Sequence, residues 1–340
     1  MAALTTTSVV PAPVQTFYDR ALLMRALPEL VHDMVAQKRS IKRRSGDIIK
    51  FRRYERLGLA LTPLQEGHPP SGTQLTYTDV TSQLKQYGDF IPLSDYVQLT
   101  IQDDILRETN KLLGEQSGQT LDALLRDVAV AGTNVQYGGG VANRGLLVTT
   151  TEKVTTAALD IAIRTMNRFN AHKYNKMISA GTKVSTFGIR DSYWAIIHPD
   201  VLFTLETLDG YKSVEEYGNG GTSVVKAEVG SYKHLRFLVS TQAKVFIGGG
   251  GTGTGDVIID GTTGNADVYP ILIFGREAIA TVPIDGGNIQ NIVQPLGSAG
   301  SADPLKQRVT SGWKVPGRTH VILNDDFMLR LEVTAGATAP

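Results

Sequence analysis

The chain has 340 residues, a formal net charge of +1, 20% charged residues and no cysteine. That length allows one large or two modest domains, each with its own core. The near-neutral balance excludes a protein that coats nucleic acid or a membrane surface by charge alone, and the missing thiols exclude a disulfide framework, a thiolate metal site and a thiol nucleophile.

Residues 1–16 are rich in Thr, Ser, Ala and Pro, which predicts a flexible arm. They show neither a basic leader nor an apolar h-region, and no stretch of the chain approaches the ~20 apolar residues that cross a bilayer, so a soluble protein without Sec-type export is expected. Phe17, Leu22, Leu27, Leu30, Val31 and Met34 then follow helical spacing, interrupted at Pro28.

Residues 38–90 read as two extended arms, 48–61 and 75–86, around a turn-rich tip with Gly67, Pro69, Pro70, Ser71 and Gly72. Neither arm has a consistent apolar face. An isolated hairpin is marginal in water, so this one is expected to lie against something outside its own core. Lys38, Arg39, Lys42, Arg43, Arg44, Lys50, Arg52, Arg53 and Arg56 also put nine positive charges in a 19-residue window. Such a cluster can hold phosphates or meet carboxylates of a neighbouring copy. Because it sits on a hairpin in need of a partner, subunit contact is the favoured reading for Lys38, Arg39, Arg43, Arg44, Arg52, Arg53 and Arg56.

Residues 103–131 have the cleanest period in the chain. Ile105, Leu112, Leu113, Gln116, Leu121, Leu124, Leu125 and Val128 recur at three- and four-residue steps, and most charged residues, Asp122 among them, fall elsewhere. This predicts a long amphipathic helix capped by Asp103 and ended by a left-handed Gly132. A short strand at 146–150 and a second amphipathic helix at 156–170 are expected next. Then come a buried strand at 193–198, a helix opened by Pro199 and Asp200, and several strands through Val282 that include 244–247 and 256–260. Strands at 307–315, 321–323 and 327–333 precede a loose tail.

Signs of catalysis are weak. Gly248-Gly249-Gly250-Gly251-Thr252-Gly253 satisfies G-x-G-x-x-G, but a strand follows it where a nucleotide site needs a helix, so a flexible surface loop is expected. The six histidines never come in ligand-spaced pairs. His198 with Asp200 reads as a strand end before a proline-started helix. Asp103-Asp104 and Asp325-Asp326 read as helix-start and turn residues. No cofactor or metal is expected.

The order of parts is that of a known family. The opening TTTSVVPAPVQTFYDRALLMRALPELV, the hairpin phrases GDIIKFRRYERL and LTPLQEGHPP, the return QYGDFIPLSDYV, the long helix, IIHPDVLFTLETL and the closing GWKVPGRTHVILNDDFMLRLEV carry the likeness. The chain resembles the major capsid proteins of tailed bacteriophages, with the α+β fold of Hong Kong 97 type, most closely the N-four-like branch. The resemblance implies an N-terminal arm (1–37), an extended loop (38–90) lying over a neighbouring subunit, a peripheral domain (91–154 and 306–340) with the long helix as spine, and an axial domain (155–305). Gly248 to Gly255 is then a loop ornament.

The implied function is structural and not enzymatic. Pentamers and hexamers of this chain would close an icosahedral shell around phage double-stranded DNA, in a virion assembled in the host bacterial cytoplasm. The implied partners are further copies, a separate scaffolding protein, a portal, decoration proteins and DNA held without sequence preference on the inner face, with no membrane. An encapsulin-like cargo shell is the alternative within the fold. An enzyme with a divergent site and a basic-patch nucleic-acid binder are the rivals outside it.

Overall fold

The computed structural model of the chain describes residues 30–63, 66–67, 72–100, 105–174, 191–217, 227–298 and 303–337. The arm at 1–16, most of the helix expected at 17–34, the cap and doublet at Asp103 and Asp104, the hairpin-tip residues Pro69, Pro70 and Ser71, and the last of the tail lie outside the described residues. In chain order the elements begin with α1 (His32–Val35), β1 (Gln37–Lys38), β2 (Ile48–Tyr54), β3 (Tyr77–Gln83), β4 (Lys85–Ser94), α2 (Asp95–Thr100) and α3 (Ile105–Val130). They continue with β5 (Val135–Tyr137), α4 (Thr156–Arg168), β6 (Tyr193–Ile197), α5 (Pro199–Glu206), β7 (Tyr211–Ser213), β8 (Glu228–Tyr232) and β9 (Leu235–Val239). The last are β10 (Val268–Phe274), β11 (Ile279–Pro283), β12 (Gln290–Gln294), β13 (Arg308–Ile322) and β14 (Met328–Thr334).

A seven-stranded sheet runs β5-β14-β10-β6-β9-β8-β7. Its central strands are covered on both faces, so β6 and β10 are apolar without alternation, as doubly covered strands must be. Successive side chains still point to opposite sides. Tyr193, Ala195, Ile197, Ile271 and Ile273 join one core with Leu159, Ile163 and Met166 of α4 and Val201 and Leu205 of α5. Trp194, Ile196, Leu272 and Phe274 join a second core with Val31 and Val35 around α1 and Leu125 and Ala129 of α3. Thr155 caps α4 by accepting from the Ala158 N–H, and His198 caps α5, which begins on Pro199.

A five-stranded sheet is built on β13, which pairs with β4 along one edge and with β11 and β12 along the other, while β1 pairs with β11. The spine α3 lies on this sheet through Leu113 and Leu121 against Trp313 and Val315. Polar pairs set the register: the Trp313 indole donates to Gln116 Oε1 at 3.0 Å, and the Gln116 amide donates to Asp89 Oδ2 at 2.7 Å. One spine thereby serves both sheets, its first half on β13 and its last turns in the second core.

Several expectations are corrected. The segment 146–150 is not a strand but part of two 3-10 turns, because Thr149 and Glu152 form a reciprocal capping box. Residues 244–247 and 256–260 make isolated bridges and no strand. The expected strands at 307–315 and 321–323 are one 15-residue strand. Pro316 and Gly317 read as a break, but they only produce the irregularity between Val315 and Arg318 opposite β4. Gly132 is not among the left-handed glycines, and it packs beside the Met328 methyl and the Asp325 carboxylate. On the spine, Leu112 and Gln116 are exposed, whereas Asp122 is buried and pairs with His32 across 2.6 Å. The glycine run is packed tightly and is no ornament: a Cβ at Gly250 would overlap the Leu147 carbonyl, and one at Gly251 would come within 2.7 Å of Val148.

Candidate assembly surface

β2 and β3 pair antiparallel from Ile48 with Gln83 to Tyr54 with Tyr77. The hairpin does lie against something outside itself, and at its base that support comes from its own subunit. Ile49, Phe51 and Leu84 pack on Ile41, Ala280 and Val282, and Ser82 and Thr319 share a hydroxyl hydrogen bond of 2.7 Å. Beyond that base the arm is exposed. Ile48, Tyr54, Leu57, Leu75 and Tyr77 are all open to solvent, and Leu59 and Leu61 expose 75% and 81% of their surface. Single exposed apolar residues are ordinary, but their concentration along one arm marks it as a candidate interaction surface.

The basic residues divide into two sets. Lys38 reaches Asp33 at 2.7 Å. Arg43 donates to the carbonyls of Asp285 at 2.9 Å and Gly286 at 3.2 Å, tying the turn before β2 to the loop after β11. Arg52 grips Asp79 across the hairpin with two bonds of 2.8 and 3.0 Å and lies over the Tyr77 ring, while Lys50 stands 3.3 Å from the same carboxylate. Hydrogen bonds from Arg52, then its charge and that of Lys50, lower the Asp79 pKa to about 2. Arg53 bonds Asn324 and stands 3.3 Å from Glu55. Arg39, Arg44 and Arg56 form no ion pair among the described residues. Arg44 is presented by a left-handed backbone, φ 65°, just before Gly46 at φ 89°.

The remaining candidate groups have structural partners. Among the described residues no three His, Asp or Glu side chains converge to hold a metal. His198 and Asp200 are 3.1 Å apart at the start of α5, where the ring accepts from the Asp200 N–H, and burial lowers the histidine's pKa. Asp325 binds the backbone and hydroxyl of Thr133 and so anchors the end of the spine. The glycine run opens no helix. It packs beside Arg144, whose guanidinium lies over the Phe246 ring and makes two 2.7 Å bonds to the buried Glu332. The sequence signal for this apolar arm is the alternation of Leu57, Leu59 and Leu61 with Gly58 and Ala60, beside the cluster of charges.

A two-sheet α+β body crossed by one spine and carrying a long exposed hairpin is the architecture of the Hong Kong 97 type fold. Among solved structures, the capsid of Ralstonia phage GP4 superposes with a TM-score of 0.67 at 14% identity, covering 99% of this chain and 100% of that one. The capsid of cyanophage Pam1 gives 0.64 at 12% identity over 99% and 100%, and that of cyanophage P-SCSP1u gives 0.61 at 13% over 96% and 94%. At such identities these likenesses speak for the fold alone. No curated protein matches the sequence. The family described as phage capsid protein matches residues 77–281, more than half of the chain, and the protein belongs to that family. It is therefore a capsid shell protein of the virion and not an enzyme, and the encapsulin-like alternative is not favoured.

Proposed function

We propose that this chain is the major head protein of an N-four-like phage, assembling as pentamers and hexamers into an icosahedral shell around double-stranded DNA. The observation that carries this is the arm at 48–63. It is anchored at its base, rich in exposed leucine and tyrosine, and left uncovered among the described residues. In this reading residues 1–37 are an arm and 38–90 the loop laid over a neighbour. Residues 91–154 and 306–340 form the peripheral domain, and 155–305 the axial domain that gathers at capsomer centres. β11 and β14 join the two domains, since β11 pairs with β13 and β14 pairs with β10. Lys38, Arg39, Arg43, Arg44, Arg52, Arg53 and Arg56 serve contacts between subunits. A separate scaffolding protein, a portal and decoration proteins complete the head in the host bacterial cytoplasm, and packaged DNA is held without sequence preference. Electron microscopy of the purified chain tests this. Closed shells are expected, and a folded protein that stays monomeric at every concentration and with scaffold present would refute the proposal.

A further inference from the structure

Two open surfaces of this chain are halves of one β-pairing. β12 is an edge strand, bonded to β13 on one side only among the described residues, and all five of its residues are exposed. Residues 286–302 around it contain no charged side chain. Edge strands are normally protected by charge, proline or a bulge, and β12 has none of these, so its edge is built to be covered. The other half lies on the arm. After the Glu55 N–H donates to the Thr76 carbonyl at 3.0 Å, the chain leaves the ladder, and residues 57–63 carry no charge. Leu57, Leu59 and Leu61 alternate there with Gly58 and Ala60, the period of a strand with one apolar face.

These halves cannot meet within one subunit. Ser82 fixes the hairpin base at Thr319, and Arg53 touches Asn324, so the arm runs off the end of β13. Ile292 pairs with Gly312 toward the other end. From Gly312 to Ile322 the strand spans about 33 Å, whereas residues 55–59 reach about 14 Å when fully extended. We propose that residues 57–61 of one copy add as a strand to the free edge of β12 in a neighbouring copy. This rests on the shell reading and gives it a defined contact. Main-chain bonds supply the affinity, and leucines on the outward face settle in the groove lined by Phe90, Ile292, Gln294 and Lys314 over Gly312.

Because the chain has no cysteine, paired substitutions test the contact directly. Leu59→Cys combined in turn with Gln290→Cys, Ile292→Cys and Gln294→Cys, oxidised in assembled shells, is expected to yield covalent multimers for at least one pair. Leu59→Cys with Phe203→Cys, on α5, should yield none. Shells that form normally while no β12 pair crosslinks would overturn the pairing. A second variant covers the case in which the cysteine chains assemble poorly: Ile292→Lys with Val293→Lys should leave a folded subunit by circular dichroism and abolish shells. Shells formed by that variant as readily as by the parent would equally overturn it. A parent chain that forms no shells at all refutes the shell reading and takes this contact with it.

Discussion

His320 sits between β11 and the spine, its ring hydrogen-bonded at 3.0 Å to Thr281, with Arg318, Asp33 and Asp122 as charged neighbours. Burial, and then Arg318, lower its pKa from 6.5 to about 4. An unfolded chain therefore binds a proton that the folded one refuses between those values. Subunit stability should be intact above about pH 6.5 and fall by up to about 3 kcal/mol as the pH drops toward 4. Urea midpoints of unassembled subunits across this range should show the slope, and His320→Gln should flatten it. A different residue-scale question concerns the arginines. Arg52 and Arg53 already have partners in their own subunit, so Arg39, Arg44 and Arg56 are the stronger candidates for contacts across copies. Changing these three to Gln should leave the subunit folded and block assembly even without DNA. Carboxylate pairs buried between subunits resist salt, whereas phosphate contacts weaken steeply with it. Variant shells that form normally when empty, yet once filled fail to retain DNA as salt rises, would place these arginines on the genome instead.

At the scale of elements, the spine is where local pattern and tertiary packing agree best. Its buried positions Thr109, Leu113, Ser117, Leu121, Leu125 and Ala129 recur every four residues. Leu125 is 1% exposed. Leu125→Ala should cost about 2–5 kcal/mol and Leu125→Asp should prevent folding, while Lys111→Asp on the solvent face should change stability little, all by chemical denaturation. The helix was legible because its period is local; Asp122 was misread because its partner, His32, lies 90 residues away. α4 was legible for the same reason as the spine, α5 through its proline start at Pro199, and β6 as a short continuous apolar run. The break expected inside β13 came from a proline and a glycine that the structure absorbs between Val315 and Arg318. The strands expected on either side of the glycine run failed because close backbone approach, which no periodicity encodes, decides that region. Of the assembly surface, the charges were visible as a cluster, but which of them are satisfied at home depended on pairings such as Arg43 with Asp285, far apart in sequence.

For the whole molecule, the folded body and the exposed arm have separate roles. Both sheets close their cores without the far part of the loop, as the four apolar clusters contain no described residue between Phe51 and Leu84. Removing the far part of the loop should therefore spare the fold and remove only what joins copies. The most direct measurement compares the parent with a variant lacking residues 61–74, by size-exclusion chromatography and electron microscopy under one assembly condition. The variant should run as soluble, folded monomers, pentamers or hexamers and never close a shell. Closed shells from the deleted chain, or its collapse into aggregates while full-length monomer stays stable, would contradict the assignment of the arm to contacts between subunits.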